Sequence, residues 1–334
     1  MLLPRSVSMD HSGGPPSPLR GSSSAPPDVA LGGRTRAGYV TLLGRPNAGK
    51  STLLNRIVGE HLSIVTSKAQ TTWQRVTGIL TVESDQLVFL DTPGLLVARD
   101  LLQRAMLAAA LEAVAEADVL VLVVDTTRAP SPRDEERIAR ALGEASAPLH
   151  VALNKVDAAP ADALRAWQDW VGATLGATPH AVAALTGQGT DALLEALRGD
   201  LPEGPFLYPA DDIASDPVRF FVAELVRETI FEQYHQEIPY AAFCRVEEFR
   251  EDQQPVYIHV DIHVERKSQK GILIGHGGEA IRALGAAARV KIEHFIGTDV
   301  YLDLWVKPLK AWRKNRTHLG QLGFRVPSDD DTHS

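Results

Sequence analysis

A single cysteine, Cys244, excludes an internal disulfide, and no group of Cys and His has zinc-site spacing. The expected setting is therefore reducing and intracellular. Long hydrophobic runs are missing too. Nothing approaches the ~20 apolar residues that carry a helix across a bilayer, so no transmembrane segment is expected. Positive charge is in short supply: a formal net charge of −8 excludes a protein that coats nucleic acid through bulk charge and leaves only a local basic patch for such a contact. What the chain does hold is 44% hydrophobic and 23% charged residues, enough for sizeable soluble cores. Its 334 residues suit two domains at roughly 100 to 200 residues each.

Residues 1–36 carry six prolines and seven serines with no apolar periodicity, which predicts a disordered tail. The prolines, with Asp10 and Asp28, also oppose the amphipathic helix of an organelle transit peptide, and no apolar stretch of secretory-signal length is present. Met9 is an alternative start. From Gly38, β-rich runs at 39–43, 76–82, 87–90, 118–124 and 149–153 alternate with helical ones. That alternation predicts a mostly parallel, doubly wound α/β sheet over 37–200, whose ligands sit at the carboxyl ends of the strands. Four prolines in 201–217 mark a linker. Beyond it the pattern is a helix (218–234), strands (242–248 and 256–265), a Gly-bearing turn, a helix (279–295), a strand (300–305) and a helix (309–319). This is an α+β module over 218–322, followed by an acidic tail at 323–334.

Three motifs stand at strand ends. Gly44-Arg45-Pro46-Asn47-Ala48-Gly49-Lys50-Ser51 fits the P-loop pattern between a strand and a helical run that continues through Thr52. Its glycines let backbone N–H groups turn toward phosphates, and the helix end adds positive potential. Lys50 is expected at the β- and γ-phosphates and Ser51 at Mg²⁺. Asp91-Thr92-Pro93-Gly94 closes a later strand, where a carboxylate approaches the Mg²⁺ shell and a glycine N–H meets the γ-phosphate. Asn154-Lys155-Val156-Asp157 ends another, and the Asp157 carboxylate can accept two hydrogen bonds from guanine that adenine does not offer. Lys155 is expected along the base or the phosphate loop, and Asn154 as a tie between loops.

These motifs are similar to the first, third and fourth signatures of the translation-factor-like small GTPases, and Ser67-Lys68-Ala69-Gln70-Thr71-Thr72 resembles the switch loop of the Era family. The resemblance implies that Thr71 or Thr72 joins Ser51 and Asp91 on Mg²⁺, with Lys50, Thr72 and Gly94 serving hydrolysis. Ala183 and Ala184 lie where the fifth motif would meet guanine; the usual serine is replaced by Ala183, leaving the Ala184 N–H as the expected contact. Trp73 stands where the family commonly has arginine. Leu95 occupies the place of the water-orienting glutamine of Ras-like proteins, so intrinsic hydrolysis is expected to be slow. Asn47 resembles its counterpart in potassium-stimulated relatives, which implies a monovalent cation; a turn-bracing amide is the alternative.

In the second module, Ile274-Gly275-His276-Gly277-Gly278 precedes an amphipathic helical run and is flanked by Arg266, Lys267, Lys270 and Arg282. A KH domain clamps about four nucleotides with such a G-x-x-G loop. The charge split agrees: 4 basic and 11 acidic residues over 216–265, then 11 basic and 4 acidic over 266–316, so one half offers a polyanion surface. The Era resemblance extends through this module and implies a type II-like KH domain on the 3′ end of 16S ribosomal RNA during 30S assembly. It further implies a monomeric, cytoplasmic GTPase using GTP/GDP and Mg²⁺, with K⁺ and a peripheral contact at the inner face of the cell membrane as additional expectations. The competing readings are an ATP-dependent phosphotransferase and a GTP-regulated adaptor whose second domain meets protein or membrane. His259 and His263 share a strand face without an evident third metal ligand.

Overall fold

A computed structural model describes residues 18–20, 34–66, 68–143 and 145–328. Most of the two expected tails, together with Ser67 and Glu144, lies outside the described residues. With strands numbered along the chain, the larger sheet runs in space as β1 (Pro18–Arg20), β8 (Asp212–Pro217), β3 (Val76–Val82), β4 (Asp85–Asp91), β2 (Arg36–Leu43), β5 (Val119–Asp125), β6 (Leu149–Asn154) and β7 (Pro179–Ala181). The five strands from β4 to β7 are mutually parallel. β3 is antiparallel to β4 because only Glu83 and Ser84 separate them, too few for a crossover. Helices α1 (Lys50–Val58), α2 (Leu101–Ala115), α3 (Pro132–Leu142), α4 (Ala161–Trp170) and α5 (Thr190–Gly199) supply the crossovers. All six residues of Val119–Val124 are buried, the pattern of a strand covered on both faces.

The second unit has a sheet ordered β11 (Val300–Pro308), β10 (Val256–Val264), β9 (Phe243–Arg250), with β10 parallel to β11 and antiparallel to β9. Helices α6 (Val218–Gln233), α8 (Lys267–Ile274) and α9 (Glu279–Ile296) share its core, which gathers Ile258, Val260, Ile262, Leu273, Leu284 and Ile292. The short helices α7 (Ile238–Ala241) and α10 (Arg316–Gln321) complete it.

Three sequence expectations change. The Gly-bearing turn after β10 is largely the helix α8, whose eight residues around Gly271 are too few to show a period. The single helix expected over 309–319 is broken. Ala311 takes a left-handed backbone with φ 51°, and Trp312 is buried with its indole N–H on the Ala241 carbonyl at 3.0 Å. Asn315 then starts α10, its side chain accepting from the His318 N–H. Finally, the proline-rich stretch 201–217 contains β8, which joins the large sheet beside β3.

Helix α6 belongs to both halves. Phe221 packs with Leu53, Leu54 and Val76 in the first core, while Val222, Val226 and Ile230 lie in the second.

Candidate functional site

The phosphate loop is shaped by contact. Gly44 and Gly49 have φ of 146° and 98°, and a Cβ there would lie 2.2 Å from the Val123 carbonyl oxygen and 2.1 Å from Asn154 Nδ2. Gly94 reaches the same loop from β4, where a Cβ would meet the Pro46 nitrogen at 2.5 Å. Lys50 is buried and folds back over the loop, with Nζ 3.3 and 3.2 Å from the Gly44 and Arg45 carbonyl oxygens. Burial pushes its pKa down, opposed by the nearby Asp91 charge. Burial likewise raises Asp91, and Lys50 together with the hydroxyls of Ser51 and Thr72 works against the shift. A cavity of about 300 Å³ lies above the loop, walled by residues 46–47, 49–52, 64–66, 70–72, Gly94 and Lys155.

Three oxygen donors converge under that cavity. Ser51 Oγ donates to Asp91 Oδ2 at 2.6 Å, and the Thr72 hydroxyl lies 3.1 Å from Ser51 Oγ and 3.4 Å from Asp91 Oδ2. Asp91 Oδ1 is buried with no hydrogen-bond partner among the described residues. A hard all-oxygen set with an unpartnered carboxylate oxygen fits Mg²⁺. Of the two threonines, Thr72 places its hydroxyl against Ser51 and Asp91, while the Thr71 carbonyl accepts from Arg227 of α6. Thr92 secures its strand end on the Leu42 carbonyl, and the Leu95 N–H donates to Gly44 O at 2.9 Å.

On the base side, Asn154 Nδ2 donates to the Ala48 carbonyl at 2.8 Å, and its Oδ1 accepts from the Ala184 N–H at 2.9 Å. Asn154 therefore ties three loops together. The same bond corrects one expectation: the Ala184 N–H is already engaged, and the Ala183 N–H donates to Gln188 O, so neither is free for a base. The neighbouring Leu185, 70% exposed, carries an N–H with no partner among the described residues. Lys155, at φ 67°, bridges the Asn47 carbonyl at 2.7 Å and Asp125 at 2.6 Å. Val156 donates its N–H to Val182 O, and the Asp157 side chain is exposed.

The switch loop rests on the second unit. Trp73, 4% exposed, stacks on Phe243 with ring planes 12° apart and meets Trp312 at 5.6 Å. The Arg227 guanidinium of α6 lies 4.6 Å from the Trp73 ring centre, a cation–π contact made in a buried place. One helical residue on, Glu228 accepts from His61 Nε2 at 2.9 Å, the Val65 N–H at 3.2 Å and Lys291 of α9 at 2.9 Å. Lys68 donates to the Phe231 and Tyr234 carbonyls at the end of α6. Nothing in the sequence pattern pointed to Arg227 or Glu228, since neither stands in a motif.

The G-x-x-G loop joins helix to helix. Gly275, at φ 71°, would place a Cβ 2.6 Å from that of Ala280, whereas a Cβ on Gly277 would meet nothing within 4 Å. His276 and Gly277 are exposed, and Arg282 braces the loop by donating to the Gly277 carbonyl at 2.9 Å. Lys270 lies one turn before Ile274. Arg266 and Lys267 lie at the far end of α8, about 12 Å away at 1.5 Å per residue. The basic run is thus a stripe along α8. A groove of about 830 Å³ lies between α9 and β11, lined by Ile281, Arg282, Gly285, Arg289, Tyr301 and Leu304 among others; of these only Arg282 belongs to the basic residues that flank the glycine motif, so the sequence pattern gives no sign of the rest.

Known proteins share this arrangement. Residues 39–155 match the family described as 50S ribosome-binding GTPase, and residues 237–313 match the KH domain. The GTPase Era of Geobacter metallireducens is 41% identical over 276 residues, covering 81% of this chain and 91% of that one. The chain belongs to the Era family of GTPases. The Era of Staphylococcus haemolyticus is 37% identical over 280 residues, with 82% and 92% covered. A crystal structure of an Aquifex aeolicus Era variant bound to GDP·AlF4⁻ superposes with a TM-score of 0.82 at 34% identity, covering 86% of this chain and 99% of that chain. The same values hold for an Era in complex with MgGDPNP and nucleotides 1506–1542 of 16S ribosomal RNA. Membership makes the protein a GTPase with a P-loop domain and a KH domain. Among the described residues no helix is long and apolar enough to cross a membrane.

Proposed function

We propose that the chain is a GTP-operated switch that binds the 3′ end of 16S ribosomal RNA through its KH domain and assists 30S subunit assembly. The observation that carries this reading is the attachment of the switch loop to α6 through Trp73, Arg227 and Glu228, because it joins the loop bearing Thr72 to the core behind the G-x-x-G turn. The Era bound to an RNA of that sequence supports the choice of ligand. The division into a GTPase domain that starts at 37 and is completed by β8 within the proline-rich stretch 201–217, and an RNA-binding domain at 218–322, is part of the proposal.

In this reading Gly44–Thr52 surround the triphosphate with backbone N–H groups, Lys50 places its ammonium on the β- and γ-oxygens, and the Gly94 N–H meets the γ-phosphate. Ser51, Thr72 and Asp91 hold Mg²⁺, which neutralises charge on the phosphate oxygens when bound. Asp157 reads guanine, with Lys155 and Asn154 fixing the loops around it. Leu95 cannot orient a water by hydrogen bonding, so hydrolysis by the chain alone is slow. Asn47 helps hold a monovalent cation beside the phosphates, and equal turnover in potassium and sodium buffers would remove that role. On the RNA side, the loop N–H groups, the α9 end, Lys270 and Arg282 take the phosphates, with Arg266 and Lys267 farther along the stripe. The protein works as a cytoplasmic monomer with peripheral membrane contact.

The deciding experiment measures binding of a fluorescent 16S 3′-end oligonucleotide to the full chain with GDP and with a non-hydrolysable GTP analogue, each with Mg²⁺. A several-fold difference between the two is expected. Identical affinities in both states would overturn the switch.

A further inference from the structure

A second groove, of about 1370 Å³, shares Arg45, Pro46 and Leu95 with the surroundings of the phosphate loop and extends from there along α2 and α3, where neither the nucleotide chemistry nor the RNA reading uses it. Its walls are residues 95–99, directly after the Asp91–Gly94 turn, with α2, α3 and residues 325–327. Seven arginines and two glutamates line it, with no lysine and no aromatic ring. In a chain of net charge −8 this is a local reversal of sign. Arg99, Arg133, Arg137, Arg140 and Arg325 make no side-chain hydrogen bond or ion pair among the described residues, so their charges are not spent on the fold.

The floor between the arginines is apolar. Val97 is 60% exposed and Leu111 41% exposed, and Leu107 stands one turn from Leu111 on α2. Arginine is among the residues enriched at protein-binding surfaces, and an apolar floor inside a charged rim is the layout of such a surface. A single-stranded RNA site would offer rings for base stacking, and this groove has none. An amphipathic helix laid in a groove meets apolar anchors at i, i+3/i+4 and i+7 with its polar face at the rim. We propose that this groove receives an acidic amphipathic segment of a partner protein, its apolar face on Val97, Leu107 and Leu111 and its carboxylates on the arginine rim.

The groove touches the parts of the molecule nearest the γ-phosphate side. Leu95 donates to the Gly44 carbonyl, and Arg45 of the phosphate loop lines the groove while pairing with Asp134 of α3. A partner seated there contacts elements that also meet nucleotide, so its affinity differs between the GTP and GDP states and, reciprocally, it biases nucleotide affinity. None of this depends on which RNA the KH domain binds.

The test places the photo-crosslinking residue p-benzoylphenylalanine at Leu111 of the full chain in the cells that make it, and maps the crosslinked peptides. The expected products are protein segments rich in Asp and Glu with apolar residues at helical spacing. At least a tenfold loss of product is expected in the Arg133→Glu, Arg137→Glu, Arg140→Glu triple variant, with GTP turnover and 16S oligonucleotide binding unchanged. Should that variant fail to fold, the triple Gln substitution removes the same charges with good helix formers, and the same loss is expected. Crosslinks only to RNA, to this chain's own C-terminal residues or to a second copy would overturn the proposal, as would no crosslink or one indifferent to the arginines. Loss of oligonucleotide binding in the triple variant would assign the groove to RNA and overturn it as well.

Discussion

The two glycine-rich loops of this molecule solve different problems. At the phosphate loop, Gly44 and Gly49 are crowded by Val123 and Asn154 and the abutting Gly94 by Pro46, and a side chain at any of them would collide with backbone or with the Asn154 amide. The loop is held by the protein itself. In the G-x-x-G loop Gly275 is crowded by Ala280 and Gly278 only by the movable end of the Arg282 side chain, while Gly277 faces open space with φ 56°. There the missing side chains leave room for something larger to approach. A small ligand that must be gripped the same way each cycle is matched by a loop fixed from within, and a long polymer is matched by one left open along a stripe of charge.

The largest effect that sharpens this contrast is at the base. Asp157→Asn should reverse the preference of GTP over XTP, moving the ratio by about 10⁴, as expected when a polar match that the bound base closes off from water becomes a mismatch. Turnover with each nucleotide reads it, and an unchanged ratio would mean the base is recognised elsewhere. Next comes Gly49→Ala, which should cost about 10²-fold or more in GTP turnover by displacing the loop, while Gly277→Ala leaves turnover alone and lowers RNA affinity by about 5-fold for one left-handed alanine. Equal losses from both would erase the distinction between the loops. Lys270→Ala with Arg282→Ala should weaken RNA binding and reduce its salt slope by about 1.4, two phosphate contacts on a single strand. A slope that does not move would make that stripe a solvated face.

The smallest effect concerns the contact between the halves. The Glu228 hydrogen bond raises the His61 pKa above 6.5, although burial opposes it. Burial raises Glu228, but His61 and Lys291 outweigh it and leave its pKa below 4.5. The His61 contribution is full below its unfolded value and fades as pH rises through the raised folded value. The Glu228 contribution is present above its unfolded value and fades as pH falls through the lowered one. The contact is therefore strongest in the mildly acidic window between them. Burial lowers the pKa of His180 and His263, which favours the fold at higher pH, so the His61 part is read as a difference between proteins: His61→Phe should lower the urea midpoint more at pH 6 than at pH 9, and an equal loss at both would remove the pH-dependent contact.

The nucleotide side was legible because its chemistry is contiguous: eight residues make the phosphate loop, four make each later turn, and strands place them. The parallel sheet followed from alternation alone. What escaped the sequence was everything made by residues far apart in the chain. Arg227 meets Thr71 across 156 positions and Glu228 meets His61 across 167, and neither pair has a spacing to read. Ala184 shows a subtler limit, since its N–H is open as far as the motif tells and the Asn154 amide takes it in the fold. Helix α8 hid because Gly271 interrupts so short a run, and Trp312 broke an apparently continuous helix by going inward.

Helix α6 plants Phe220 and Phe221 against the core of one half and Val222, Leu225, Val226 and Ile230 in that of the other. Heating should consequently melt the protein in one calorimetric endotherm, because neither half can lose its packing without pulling this shared rod out of the other. A gene cut before Val218 would leave the upstream fragment with an unfilled slot, prone to clumping on expression.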